Sequence, residues 1–388
     1  MFIKKDTRKI PEILTDATRR ASAPPSSPNP ANDSNDESKR DIVKEMRFAR
    51  RAPEFLPSCG VSALLLPPKY RPALDNLIQL SLYDCGLQTL AGIENSFDEG
   101  ATPLFPQLTS LDIGRNPKLK NDSLPSTFYT QFPQLTQLWS DDCSFGPNIP
   151  STLLDLQKLQ VVRMTGNRLE GELEDGIGIR YWKMLKVLAL DGNKLTSIGR
   201  GLGKLKYLEK IQMRGNELTS LPEGVPSREN SSLVMMGLSS NKLSALPDSL
   251  VEVGATLREL YVNGNKIDEL PEGLAEKLVA LKNFNLAHNS LGQGDSATVG
   301  SQSSTSEDGD VIMEDADSNA TGTRQLPRDF VDRFGMPEPL TGQCTKEDCC
   351  VVRMEGNPMA ELIRKKYLEE EKRKAKAKVA AMEAEVIE

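Results

Sequence analysis

The sequence contains a single histidine, His288, among its 388 residues. One histidine leaves little room for serine–histidine or cysteine–histidine nucleophiles and excludes a histidine-rich metal site. The phosphate-binding and metalloprotease motifs GxxxxGK[ST], GxGxxG and HExxH are also missing. We therefore predict a protein that is not an enzyme and has no cofactor, bound metal or small-molecule substrate. A remote alternative, an enzyme that uses only carboxylates, stays open.

Apolar runs and paired cysteines are equally scarce. No stretch approaches the roughly 18 apolar residues that span a bilayer, and the N-terminus lacks an apolar run typical of a signal peptide. The six cysteines form neither a CxxC pair nor a disulfide framework. These absences predict an intracellular protein with reduced thiols and no membrane span. We expect it in the cytoplasm, and an additional nuclear location is left open.

What the sequence does contain is a regular leucine pattern, LxxLxLxxNxL. A clear copy is Leu185-Leu188-Leu190-Asn193-Leu195, and successive copies from Leu135 to Leu281 start 24, 26, 23, 25, 24 and 24 residues apart. The two leucines of LxL point to the same side of a short strand, so each copy predicts one strand with a buried leucine row. One repeat cannot bury its leucines alone, whereas stacked neighbours form a continuous core.

The asparagine of each copy predicts a ladder of buried side chains. Its amide can bond backbone groups on both sides of a tight turn, and a cysteine is small enough to replace it. The predicted structural ladder comprises Cys85, Asn116, Cys143, Asn167, Asn193, Asn216, Asn241, Asn265, Asn289 and Asn357.

These motifs resemble the intracellular leucine-rich-repeat family. The LPxxL segments Leu221–Val225 and Leu270–Leu274 resemble the returns of its Ras-group branch. The resemblance implies an α/β solenoid, or horseshoe, with a parallel concave sheet and about ten repeats. It also implies a non-catalytic scaffold or adaptor in intracellular signalling, with a small GTPase or a phosphatase as the kind of partner.

The pattern divides the chain into six parts. We predict a disordered or docking segment (1–40), an N-terminal cap (41–76, with a degenerate strand at Val61-Leu64-Leu66), the solenoid (77–292), a disordered acidic insert (293–325), a terminal repeat with its cap (326–359) and a charged C-terminal helix (360–388). The insert holds seven acids and one arginine, and Ser304 and Thr305 there precede acids by three residues. That spacing suits acid-directed phosphorylation.

Binding is predicted on the concave face, at the residue between the two strand leucines and the residue after the second. Aromatic residues and arginine often dominate interface energies, and the charges along this face are mixed. A protein partner is therefore favoured over a nucleic acid, which would require a basic stripe. The predicted partner-binding residues are Tyr83, Asp112, Trp139, Asp141, Arg163, Asp191, Arg214, Tyr261, Asn263 and Arg353.

A second hypothesis places the activity in the tails. The acidic insert or the basic C-terminal helix, with Arg364-Lys365-Lys366 and Lys372-Arg373-Lys374, would then be the binding element, with a nuclear or nucleic-acid association. The interleaved acids Glu369, Glu370 and Glu371 instead favour a solvated helix with i,i+4 ion pairs.

Overall fold

The computed structural model describes residues 10–22, 44–48, 70–90, 103–173, 181–292, 330, 333–334, 337–344 and 351–385. The predicted solenoid with its long parallel sheet is confirmed. Each copy of the repeat supplies one short strand, and the apolar residue at its centre is buried. In the described residues a 12-stranded sheet results, in which eleven strands run parallel and the twelfth pairs antiparallel with the last of them.

The strands of this sheet lie in the order of the chain, except that the last two are exchanged. They are β1 (Glu45–Arg47), β2 (Gln79–Ser81), β3 (Ser110–Asp112), β4 (Gln137–Trp139), β5 (Val161–Arg163), β7 (Val187–Ala189), β9 (Lys210–Gln212), β10 (Met235–Gly237), β11 (Glu259–Tyr261), β12 (Asn283–Asn285), β14 (Val351–Arg353) and β13 (Gln343–Cys344). The other two strands, β6 (Glu170–Leu173) and β8 (Lys194–Ile198), form a separate two-stranded parallel sheet.

Short helical turns return the chain between strands. The α-helices are α1 (Ile10–Ser22), α2 (Arg71–Leu74), α3 (Ser151–Leu154), α4 (Leu274–Lys277) and α5 (Pro358–Glu385). The 3₁₀ turns span Asn121–Ser123, Phe128–Gln131, Arg200–Lys204 and Asp248–Val253. In α5, Ala360 is buried against the last repeat and residues 364–375 are exposed.

The core is a row of leucines filled out by a few aromatic rings. Trp182 is fully buried, and its indole N–H donates to the Leu153 carbonyl at 3.2 Å. Beyond the acidic insert, Phe330 packs against Phe284 with ring centroids 6.4 Å apart, which covers the last repeats. Strand β14 pairs directly with β12, so the repeats on either side of the insert are neighbours in space.

The structure places the predicted ladder residues in the interior, where they bond successive turns together. The Asn193 carbonyl oxygen accepts the Leu169 backbone N–H at 3.0 Å. Its amide nitrogen donates to the Met164 carbonyl at 3.0 Å and the Leu190 carbonyl at 2.9 Å. One side chain therefore satisfies backbone groups of two repeats. At Cys143 burial raises the pKa of the thiol to about 12, so this residue is a neutral filler.

Two elements of the N-terminal part are described by the structure. The cap strand is β1, which pairs with β2, whereas the segment predicted as a degenerate strand (residues 61–66) lies outside the described residues. Within the segment predicted to be disordered or docking, α1 packs on α2 and buries Leu14 and Ala17. The buried side chains of α1 and β1 cover the N-terminal end of the solenoid, ahead of the first full repeat.

Candidate functional site

The residue between the two strand leucines occupies one continuous row across the sheet. Parallel pairing aligns Arg47, Ser81, Asp112, Trp139, Arg163, Ala189, Gln212, Gly237, Tyr261, Asn285 and Arg353 in that order. These side chains lie opposite the buried central residue of each strand, because side chains alternate along a strand. The row is therefore the middle of the concave face.

Five predicted binding residues line one cavity at the N-terminal end of this face. The cavity has a volume of about 520 Å³ and lies across β1 to β5. We call it the N-terminal pocket; its predicted members are Tyr83, Asp112, Trp139, Asp141 and Arg163. Trp139 and Tyr83 are partly buried and Arg163 is exposed. The pocket thus combines two aromatic rings with charges of both signs.

Backbone groups hold the two carboxylates of the N-terminal pocket in place. Asp141 accepts the Thr165 backbone N–H at 2.9 Å through one oxygen, and its other oxygen lies 3.1 Å from the Arg163 guanidinium. Asp112 accepts the Gly114 backbone N–H at 3.0 Å and the Ser81 hydroxyl at 2.9 Å. These contacts fix the acids before any partner arrives, which lowers the ordering cost of binding.

An aromatic and a basic side chain meet at the rim of the same pocket. The hydrogen bond from Arg115 to the Tyr83 hydroxyl oxygen, with the nearby Asp84 carboxylate, raises the pKa of the Arg115 guanidinium. Arg115 adopts a left-handed backbone with φ of 57° and is exposed. The contact orients the Tyr83 ring beside a permanent positive charge.

The other predicted residues lie outside the N-terminal pocket. Asp191 is half-buried in the middle of the face and accepts the Arg214 backbone N–H at 2.6 Å. Burial is the largest influence on its carboxyl and raises the pKa of Asp191. Asn263, three strands further on, accepts the Ser239 hydroxyl at 2.6 Å. These residues connect neighbouring turns along the face.

A smaller cavity of about 160 Å³, the C-terminal pocket, contains the last two predicted residues, Tyr261 and Arg353. The Tyr261 hydroxyl donates to the Glu259 carboxylate at 3.1 Å, and burial together with this contact raises the pKa of Tyr261. Trp139 and Tyr261 are separated by five strand spacings, or about 24 Å at 4.8 Å each. The structure therefore divides the predicted site into two clusters.

One column of the concave face was missed in the sequence analysis. The first residue of each strand lies two positions before the predicted row and shares its face; Glu45, Gln79 and Ser110 line the N-terminal pocket in this way. The alternation that identified the row also predicts this column. Arg47 on β1 was missed as well, although Met46 and Phe48 repeat the LxL spacing.

Several predictions concern other parts of the chain. Ser304 and Thr305 lie outside the described residues. Within the described ranges, no group of three histidine, cysteine or acidic residues is arranged to hold a metal ion. None of the helices in those ranges is long and apolar enough to cross a membrane.

Comparison with known proteins identifies the fold. The family model for the leucine rich repeat matches residues 231–291. The fold is a leucine-rich-repeat solenoid. A leucine-rich-repeat protein of Leptospira interrogans superposes with a TM-score of 0.53 at 20% identity, over 75% of this chain and 66% of its own. No curated protein matches the sequence.

Two further solved structures share the solenoid at lower similarity. The plant peptide hormone receptor RGFR1, in complex with RGF2, has a TM-score of 0.46 and 20% identity over 64% of this chain and 36% of its own. A chain of the Toll–Spatzle complex of Drosophila has a TM-score of 0.43 and 17% identity over 58% and 35%. The chain spans less than two thirds of the length of each of these proteins.

Proposed function

We propose that this protein is a non-catalytic scaffold that binds a protein partner in the N-terminal pocket of its concave face. The observation that carries the proposal is the meeting of Tyr83, Trp139 and Arg163 in one cavity of about 520 Å³. Tyrosine, tryptophan and arginine are the residue types that most often dominate binding energy. A partner side chain that fills this cavity would be desolvated, and the cavity walls are already fixed by hydrogen bonds.

The charges of the pocket favour a partner surface with both signs. Asp112 and Asp141 present carboxylates, and Arg47 and Arg163 present guanidinium groups. A uniformly anionic ligand such as a nucleic acid would meet two acids near the centre of the pocket. A mixed protein surface can instead pair with both signs, which supports specificity and the rate of association.

A cytoplasmic role in signalling, with a small GTPase or a phosphatase as partner, completes the proposal. This part of the proposal is supported by the resemblance of the LPxxL segments to those of the Ras-group branch. That resemblance lies in the repeat sequence and not in the residues of the pocket.

The test compares two variants that make the same chemical changes at the two concave pockets. Trp139→Ala/Arg163→Glu alters the N-terminal pocket, and Tyr261→Ala/Arg353→Glu alters the C-terminal pocket. A photo-crosslinking amino acid at Gln137, beside Trp139 on β4, captures proteins from lysate for mass spectrometry. We expect one set of crosslinked partners to disappear from the first variant and to persist in the second.

Circular dichroism and thermal unfolding check that both variants keep the fold. Loss of partners from the second variant alone would move the site to the C-terminal pocket. Crosslinks that survive both variants would contradict a role for either pocket. The absence of specific crosslinks from Gln137 would contradict concave binding and favour the tails, for which α5 offers an exposed charged surface at residues 364–375.

A further inference from the structure

The solenoid has a second exposed surface, at the edge of the sheet where the chain enters strands β7 and β9. Three large apolar side chains are exposed there: Tyr181 at 48%, Met184 at 43% and Tyr207 at 43%. Met184 and Tyr207 each lie three residues before the paired residues Val187 and Lys210. They therefore occupy equivalent positions in adjacent repeats, about 4.8 Å apart along the stack.

Lysines flank these three side chains in the sequence. Residues 181–186 and 204–210 together contain five lysines and one acid, Glu209, in a chain whose net charge is −7. Glu209 pairs with Lys186 at 3.6 Å. Lys183 and Lys206, like Met184 and Tyr207, occupy equivalent positions in the two repeats, and both are exposed. We call this surface, formed by residues 181–186 and 204–210, the edge patch.

The combination of lysines with exposed aromatic rings is not a general property of this edge; the third repeat further on, residues 277–283, has two lysines and the exposed Val279 but no aromatic residue. The equivalent segments of the next two repeats, residues 229–235 and 253–259, carry net charges of −1 and 0. They place serine, alanine and threonine where the edge patch has lysine, methionine and tyrosine. If the fold of the repeat required these residues, each copy would contain them. The lysines and aromatic rings of the edge patch are therefore not explained by the fold.

We propose that the edge patch binds an acidic polypeptide segment that carries an aromatic or aliphatic side chain. The lysines would pair with the carboxylates of the segment, and its apolar side chain would cover the exposed rings of Tyr181 and Tyr207. Lys206 already lies over the Tyr207 ring, with Nζ 5.9 Å from the centroid, so cationic and aromatic groups share one surface. An exposed apolar patch with a polar rim is typical of a protein interaction site.

The size and charge of the protein favour a short segment over larger anions. The edge patch spans two repeats, and the remainder of the chain is acidic overall. A membrane or a nucleic acid extends its negative charge well beyond two repeats and would be repelled by the acidic remainder. A short acidic segment places its charge against the lysines alone, within about one Debye length of 8–10 Å.

The experiment uses the full chain and two fluorescent probes, the acidic copolymer poly(Glu,Tyr) and poly(Glu), with fluorescence anisotropy as the readout. Lys183→Glu/Lys206→Glu reverses two charges in the edge patch. Lys277→Glu/Lys282→Glu is the matched control, because it makes the same change on exposed lysines of the same edge, near β12. Tyr181→Ser/Tyr207→Ser removes the two rings and leaves the lysines.

We expect the copolymer to bind the wild type with a dissociation constant that rises with salt. Since two exposed attractions become repulsions, Lys183→Glu/Lys206→Glu should weaken binding about tenfold and the control less than about twofold. Loss of the rings should weaken binding of poly(Glu,Tyr) about threefold or more and leave poly(Glu) unchanged. Thermal unfolding checks that each variant retains the fold.

Several results would overturn the proposal. One is the absence of copolymer binding by the wild type. Another is an equal loss in the two lysine variants, which would show that net charge alone matters. A third is tighter binding to phosphatidylserine vesicles or single-stranded DNA than to the copolymer, with the same dependence on Lys183 and Lys206, which would assign the edge patch to a different class of ligand.

Discussion

The Asp141 carboxylate links two adjacent repeats, because one oxygen lies 3.1 Å from the Arg163 guanidinium and the other accepts the Thr165 backbone N–H at 2.9 Å. The two contacts have different energetic weight. The ion pair contributes little to stability, because the Arg163 side chain is half exposed. Removing the acceptor of the partly buried Thr165 N–H lowers the free energy of unfolding by more.

Substitutions at Asp141 separate these contacts. Asp141→Asn keeps an oxygen acceptor for Thr165, so we expect it to lower the free energy of unfolding by less than about 1 kcal/mol. Asp141→Ala leaves the Thr165 N–H without its acceptor and should cost about 1–3 kcal/mol. Urea unfolding of both variants measures the difference. Equal losses would show that the carboxylate does not hold the turn.

Asp191 is predicted to reduce stability at neutral pH. Burial raises the pKa of its carboxyl above the ordinary value of 3.8, so the native state binds the proton more tightly than the unfolded state does. The stability contribution of this group is therefore greatest below pH 3.8 and is lost as the pH rises through the folded pKa. Asp191→Asn removes the charge and keeps an acceptor for the Arg214 N–H.

We expect Asp191→Asn to be more stable than the wild type at pH 7, with the difference shrinking as the pH falls toward the ordinary carboxyl pKa of about 4. Denaturant unfolding of both proteins across this range provides the measurement. The matched control is Asp141→Asn, whose carboxyl faces the same concave surface. A stabilising effect that is independent of pH would assign the gain to packing instead of charge.

The leucine spacing was sufficient to predict the fold, because a strand every 23 to 26 residues leaves its leucines buried only when repeats stack. The row containing Trp139 and Tyr261 followed from the alternation of side chains along a strand. The ends of the solenoid were harder to interpret. Strand β1 has Met46 and Phe48 in the leucine positions without a following asparagine, so the full motif did not detect it.

The division of the site into two pockets could not be predicted from the sequence. Spacing gives the order of Trp139, Arg163 and Tyr261 along the sheet but not the depth of the surface around them. That depth depends on local neighbours, such as the buried Ala189, and on the presence of β1, which extends the face past β2. Pairs such as Arg115 with Tyr83 depend on side-chain directions that a pattern does not specify.

The asparagine ladder is predicted to contribute strongly to stability. Asn193→Ala would leave the Leu169 N–H and the Met164 carbonyl without their bonds in the interior, whereas the Leu190 carbonyl would keep its bond from the Asn216 amide. We expect a loss of about 2–4 kcal/mol in the free energy of unfolding, from unsatisfied groups and a small cavity. Asn283→Ala, at an exposed position on β12, is the control and should change stability by less than about 0.5 kcal/mol. A similar effect from both substitutions would contradict a structural role for the ladder.

The residue before each ladder asparagine adopts a left-handed backbone, which gives opposite predictions for Gly264 and Ser240. Gly264 has φ of 69° and Ser240 has φ of 56°. A Cβ on Gly264 would meet nothing closer than 3.5 Å, so the cost of Gly264→Ala is that of the backbone conformation, about 1–2 kcal/mol. Ser240→Gly relieves the same conformation.

Thermal and urea unfolding of the two variants should therefore move in opposite directions. Ser240→Gly should raise stability by up to about 1 kcal/mol, because the strain it relieves exceeds the added freedom of the unfolded chain. Ser244→Gly, at an exposed position in the same repeat, is the control and should lower stability. Destabilisation by Ser240→Gly equal to that of Ser244→Gly would show that the Ser240 side chain stabilises the turn by more than its backbone strain costs.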